Sequence, residues 1–123
     1  MAQQEHTKFE VFTKEFKSED SINQILSDIE NWIKEKKVAS KSIGVEFLEK
    51  ANYIVMSLGY RDDEDAYNVK LKSSLIDKIE VGADYTQLEK KMSETASKLS
   101  NIICHELFIT GTNDFYMVFM VKE

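Results

Sequence analysis

Near its C-terminal end the chain runs Phe115-Tyr116-Met117-Val118-Phe119-Met120-Val121 with no break in apolar character. A strand with one wet face alternates apolar and polar residues, and this one does not. It is also far too short to cross a bilayer, which takes ~20 apolar residues in a helix. It reads as a strand buried on both faces. Tyr53-Ile54-Val55-Met56 has the same character. Large exposed apolar patches are rare on monomers, so both strands need a cover on each side. For the second face the candidates are another copy of the chain, a different protein or a flat apolar ligand.

The remaining segments supply the first cover. Phe9, Val11 and Thr13, with Phe12 and Phe16, predict a strand over about 8–17. Ser21 with Gln24 three residues on has the form of a capping box, with Glu19 and Asp20 suited to the positive end of a helix. Ile22, Ile25, Leu26, Ile29, Trp32 and Ile33 recur at spacings of three and four and make one apolar stripe. Lys34, Lys36 and Lys37 suit the negative end, so the helix is expected to stop near Val38. Ile43, Val45 and Phe47 alternate as a strand, Glu49–Asn52 is a turn, and Tyr53–Tyr60 completes a hairpin.

Arg61-Asp62-Asp63-Glu64-Asp65 breaks the composition and reads as a connector. Its acids lack the central glycine and terminal glutamate of a calcium loop, so a solvated linker is the expectation. The same order then returns. Residues 67–81 are β-prone, and Asp84 with Gln87 repeats the capping pattern. Tyr85, Leu88, Met92, Ala96 and Leu99 form a second stripe, and strands follow at 103–109 and 115–121 around the turn Thr110–Asp114. Phe12 falls on Leu75, Ser21 on Asp84 and Val55 on Val118, an offset of about 63 residues. Halves of about 8–61 and 66–123 are each near the lower size limit for a core of their own, so they are expected to share one. The fold class that follows is α+β: a tandem strand–helix–strand–strand repeat in one domain, forming a mainly antiparallel sheet with two helices packed on one face.

Counts exclude several functions. With 22 acidic and 16 basic residues the net charge of the 123-residue chain is -6. Nucleic acid and anionic membrane are therefore poor partners. A single cysteine, Cys104, allows no intrachain disulfide, and two distant histidines, His6 and His105, do not make a zinc site. The start, Met1–Lys8, is polar and has no apolar signal core, which leads to the expectation of a cytoplasmic protein. The four isolated glycines write no dinucleotide or phosphate-binding loop.

Cys104-His105-Glu106 is the one cluster of reactive residue types. A cysteine nucleophile needs a nearby base, but on a strand Cys104 and His105 point to opposite faces. Cys104 then shares its face with Glu106, which opposes thiolate formation. Trp32 and Tyr85 lie on helix stripes and read as packing, and Met56, Met92, Met117 and Met120 read as core filler. The strand aromatics Tyr53, Tyr60, Tyr67, Phe115, Tyr116 and Phe119 offer a platform for a planar molecule. No catalytic residue and no metal ligand is nominated.

Thr95–Ile102, His105–Gly111 and the Gly59-Tyr60-Arg61 ending of the earlier strand resemble dodecins, small flavin-binding proteins built from a strand–helix–strand–strand unit. The resemblance implies an oligomer and a carrier of flavin. Dodecins stack the flavin on a tryptophan opening the second strand. Ser42 and Cys104 stand near those places here, so the flavin site is not carried over. The expected function is a non-catalytic module that self-associates, as a homodimer, or binds a protein partner through an apolar sheet face. Tyr53, Val55, Phe115, Tyr116, Val118 and Phe119 are the candidate contact residues. The alternative is a carrier of flavin or another planar ligand, although no cofactor is required by the residues.

Overall fold

A computed structural model describes residues 7–62, 66–80, 82–111 and 113–123. His6, the acids Asp63, Glu64 and Asp65 of the connector, Val81 at the end of the expected β-prone run and Thr112 of the last turn lie outside the described residues. The elements are β1 (Lys8–Glu15), α1 (Glu19–Lys36), β2 (Ala39–Leu48), β3 (Tyr53–Arg61), β4 (Val69–Lys78), α2 (Thr86–Ser97), β5 (Ile102–Ile109) and β6 (Asp114–Lys122).

The strands form two antiparallel three-stranded sheets, ordered β1-β3-β2 and β4-β6-β5. One continuous hydrogen-bonded sheet was expected, and the break falls between β2 and β5. These strands lie side by side without pairing. They run in the same direction, because Ile43 in the middle of β2 meets Cys104 near the start of β5, and Phe47 near the end of β2 meets Gly111 beyond the end of β5. The sheets meet at this seam, and α1 packs against both. Its stripe of Ile22, Ile25, Leu26, Ile29 and Ile33 is at most 2% exposed. It packs against Ile43, Ile54, Met56 and Leu58 of the first sheet and against Leu71, Tyr116, Val118 and Met120 of the second. One core thus draws on both halves of the chain.

The helices do not share a face, as the sequence reading has it. Tyr116, Val118 and Met120 face α1, while the alternate residues Met117, Phe119 and Val121 face α2, with Leu88 and Ile76. The reason is the doubly apolar strand itself. β6 is central in its sheet, and a helix on each face removes both of its sides from water. No outside cover is needed for Phe115–Val121, which corrects the expectation that a partner or ligand must supply one.

Local chemistry sets the element ends. Ser21 is the third residue of α1 rather than its cap; its hydroxyl accepts from the backbone amides of Lys17 (3.0 Å) and Ser18 (3.4 Å). Lys37 closes the helix in the left-handed conformation, φ 55°, donating its amide to Ile33 O at 2.8 Å. β2 then starts at Ala39, earlier than Ile43, where the alternation becomes visible. At α2 the Asp84 carboxylate takes the Thr86 amide (3.0 Å) and hydroxyl (2.6 Å), so Gln87 is not its partner. Glu30 of α1 accepts the Leu71 amide at 2.8 Å, which satisfies part of the free edge of β4.

Candidate functional site

The first sheet has one covered face and one open face. Register identifies the open one. Phe9, Gly59 and Ser42 stand in one cross-strand row, then Val11, Ser57 and Gly44, then Thr13, Val55 and Glu46, then Glu15, Tyr53 and Leu48. Inward residues of the same strands, such as Ile54, Met56 and Leu58, are wholly buried. Outward ones are not: Phe9 is 63% exposed, Val11 59%, Leu48 42% and Tyr53 41%. No helix or loop among the described residues lies over them. An apolar face of this extent on a sheet signals an interaction surface.

One end of that face carries little side chain on β2 and β3. A side chain at Gly59 would meet Ser42 Oγ at 2.3 Å and the Phe9 ring at 3.3 Å. Phe9 therefore lies across the glycine, an aromatic covering a bare stretch of neighbouring strand. At Gly44 an added Cβ would meet Ser57 Oγ at 2.8 Å. Gly44, flanked by Ser42 and Ser57, is the half-buried one of the two, while Gly59 is buried beneath Phe9.

A second feature lies on the far side of the molecule. Between α2 and the β5–β6 hairpin is a groove of about 480 Å³. Met117 and Phe119 form its floor, Met92 and Ala96 one wall, and Ile103 and His105 the other. It exists because α2 packs toward β4, where Lys91 holds Asp77 at 2.9 Å, and leaves β5 uncovered. That ion pair and the Lys78 amide hold the Asp77 carboxyl below its usual range. The volume is in the range of small-molecule sites and the lining is mainly apolar.

No family model, no curated protein and no solved structure matches this chain.

The six candidate contact residues do not form one surface. Tyr53 and Val55 lie on the open face of the first sheet. Tyr116 and Val118 are in the core under α1, and Phe119 is 1% exposed on the α2 side. Phe115 is half-buried there, edge-on to Tyr85 at 6.3 Å between ring centres. The aromatic platform is likewise dispersed: Tyr60 packs on Trp32, and Tyr67 donates its hydroxyl to Ser40 O at 2.5 Å. Trp32 itself bridges Phe12 and Tyr60 as packing. The residues that sequence reasoning missed on the open face are Phe9, Val11 and Leu48. Phe9 and Val11 have the opposite strand parity to Phe12, so β1 already carried apolar residues on both faces.

Cys104 and His105 part company as strand geometry requires. Cys104 faces the core with Met120, while His105 lies toward α2, its ring tilted beside Phe119 at 6.5 Å. Burial pushes the Cys104 thiol up, the Ile43 amide works against this, and the Glu106 charge adds to the rise. The arrangement favours a neutral thiol without a base, not a nucleophile. Asp62 of the connector pairs with Lys8 across the end of the first sheet. Among the described residues no group of three His, Cys, Asp or Glu is placed to hold a metal, and no helix is long and apolar enough to cross a membrane.

Proposed function

We propose that this protein is a non-catalytic interaction module whose working surface is the open face of β1-β3-β2. The observation that carries this reading is the exposure of Phe9, Val11, Leu48 and Tyr53 on one face of a sheet whose other face buries Ile43, Ile54, Met56 and Leu58 against α1. Self-association or a protein partner would remove these side chains from water, at roughly 25 cal/mol per Å² of apolar area. The same order of elements and of strands in the two halves supports a tandem duplication, in which the second sheet has its helix α2 and the first sheet has left one face for binding.

A charge test separates this face from the core. Val11→Glu and Val55→Glu are expected to abolish association, read as mass in solution or as partner capture, with the melting temperature little changed. Val118→Glu, at 0% exposure, places a carboxylate in the core and is expected to lose the fold itself. Unchanged association in both surface variants would end this reading.

The groove under α2 supports a second reading, a carrier of a planar apolar ligand such as flavin. Its volume of about 480 Å³ and its floor of Met117 and Phe119 are the supporting observations. Absorbance above ~350 nm co-eluting with the purified protein, and lost in Ala96→Trp, is the result this reading requires.

A further inference from the structure

The bulk of the side chains on the open face is graded along the strands. At one end of β2 and β3, Ser42, Gly44 and Ser57 carry little side chain, and the Phe9 ring lies over the buried Gly59. At the other end Leu48, Tyr53 and Val55 stand high. β1 is graded the other way, from Phe9 and Val11 to Thr13 and Glu15. Such a face leaves voids against a flat partner, and voids are costly in a buried interface. It is complementary to its own copy after a half-turn about an axis in the interface and perpendicular to the strands. That rotation brings Leu48 over Ser42, Tyr53 over Gly59 and Val55 over Ser57, each twice. An isologous contact has this reciprocity. Tyr53 then meets the exposed side of the Phe9 ring, which lies on Gly59 and is still 63% exposed. A half-turn about an axis along the strands does not achieve this. It sets Tyr53 on Tyr53, crowding the central strand at one end, and puts Phe9 over Ser42 and Val11 over Gly44 at the other.

The area is sufficient. Three strands about 4.8 Å apart and eight residues long make a face of about 14 by 27 Å in projection. With side-chain relief, two such faces bury on the order of 1,200 Å², the lower bound for a stable interface. Charge weakens the contact where Glu46 comes over Gly44 with no cation facing it, and Glu15, on the edge strand, comes over Phe9 at the rim.

We propose that a second copy of this chain covers the open face of β1-β3-β2. It forms a two-fold dimer in which the facing strands run antiparallel and Leu48 and Tyr53 of each copy seat over Ser42 and Gly59 of the other. This rests on the reading of that face as the working surface. The register predicts a rescue. Ser42→Leu puts bulk on bulk and Leu48→Ser leaves a void, so each alone is expected to weaken the dimer about tenfold or more. Combined in one chain they restore large against small, and the double variant is expected to return to within about threefold of wild type. Ser57→Val with Val55→Ser makes the same exchange in the central strand, should Ser42→Leu disturb the fold.

Dissociation constants from light scattering across a dilution series, with melting temperatures alongside, read all of these. Failure of both double variants to recover, while Val11→Glu still gives monomers, overturns the register and leaves the face. Rescue of Ser42→Phe by Phe9→Ser instead assigns the axis along the strands and also overturns the register. A wild-type monomer that binds a different protein through this face overturns the second copy as occupant. A wild-type monomer with no partner overturns both readings.

Discussion

Cys104 shows how far one position can be argued from its neighbours. Its strand parity separates it from His105 and pairs it with Met120, at 4.0 Å between sulfurs. Burial raises the pKa of its thiol and Glu106 adds to the rise, so the thiolate fraction at neutral pH falls below that of an ordinary cysteine. Alkylation by iodoacetamide is therefore expected to be slow at pH 7 and to reach half its limiting rate above the ordinary cysteine value of about 8.5. Because the folded pKa is raised, any stability this group contributes is complete below the unfolded value and does not decay on acidification. Fast alkylation of the native protein at neutral pH would contradict the placement of Cys104. A similar reading applies to Phe9 and Val11. Their odd numbering sets them opposite Phe12 on β1, and the exposure of that parity puts them on the outer face.

The two helices differ as elements. α1 buries its stripe between two sheets, whereas α2 has one fully buried residue, Leu88, and a groove along one side. Truncation of the stripe is expected to show the difference. Ile29→Ala, at 0% exposure, should cost about 2–5 kcal/mol, while Met92→Ala, beside an open groove, should cost roughly 1 kcal/mol or less. Chemical denaturation of the two variants checks this; equal losses would mean that α2 is packed as tightly as α1.

Much of this level was legible in the sequence, because periodicity reports burial directly. The α1 stripe, the β2–β3 hairpin and the doubly buried β6 all follow from spacing. What spacing does not report is which element supplies each cover. β6 demanded two covers, and nothing local in Phe115–Val121 says that α1, from the other half of the chain, provides one of them. The helices' faces are set by the path of the chain through each sheet. The candidate site suffered from the same gap. Tyr116, Val118 and Phe119 looked available only because their covers lay at a distance in sequence, and of the six residues Tyr53 and Val55 alone lie on the open face.

At the scale of the whole molecule, the two sheets meet along β2 and β5, α1 packs against both and α2 backs the second sheet. That leaves the outer face of the first sheet as the asymmetry between the halves. In the second sheet the central strand β6 is covered on both faces by its own chain, although Leu75 (50%), Ile102 (39%) and Leu107 (37%) stay exposed on the flanking strands, whereas β3, central in the first sheet, is covered on one face. An open apolar sheet face is costly in water unless something binds it. The most direct test is the mass of the purified wild-type protein in solution, measured by light scattering from nanomolar to micromolar concentration. The account predicts a concentration-dependent rise to twice the 14.3 kDa of one chain. A mass of one chain throughout that range, with nothing bound, would contradict it.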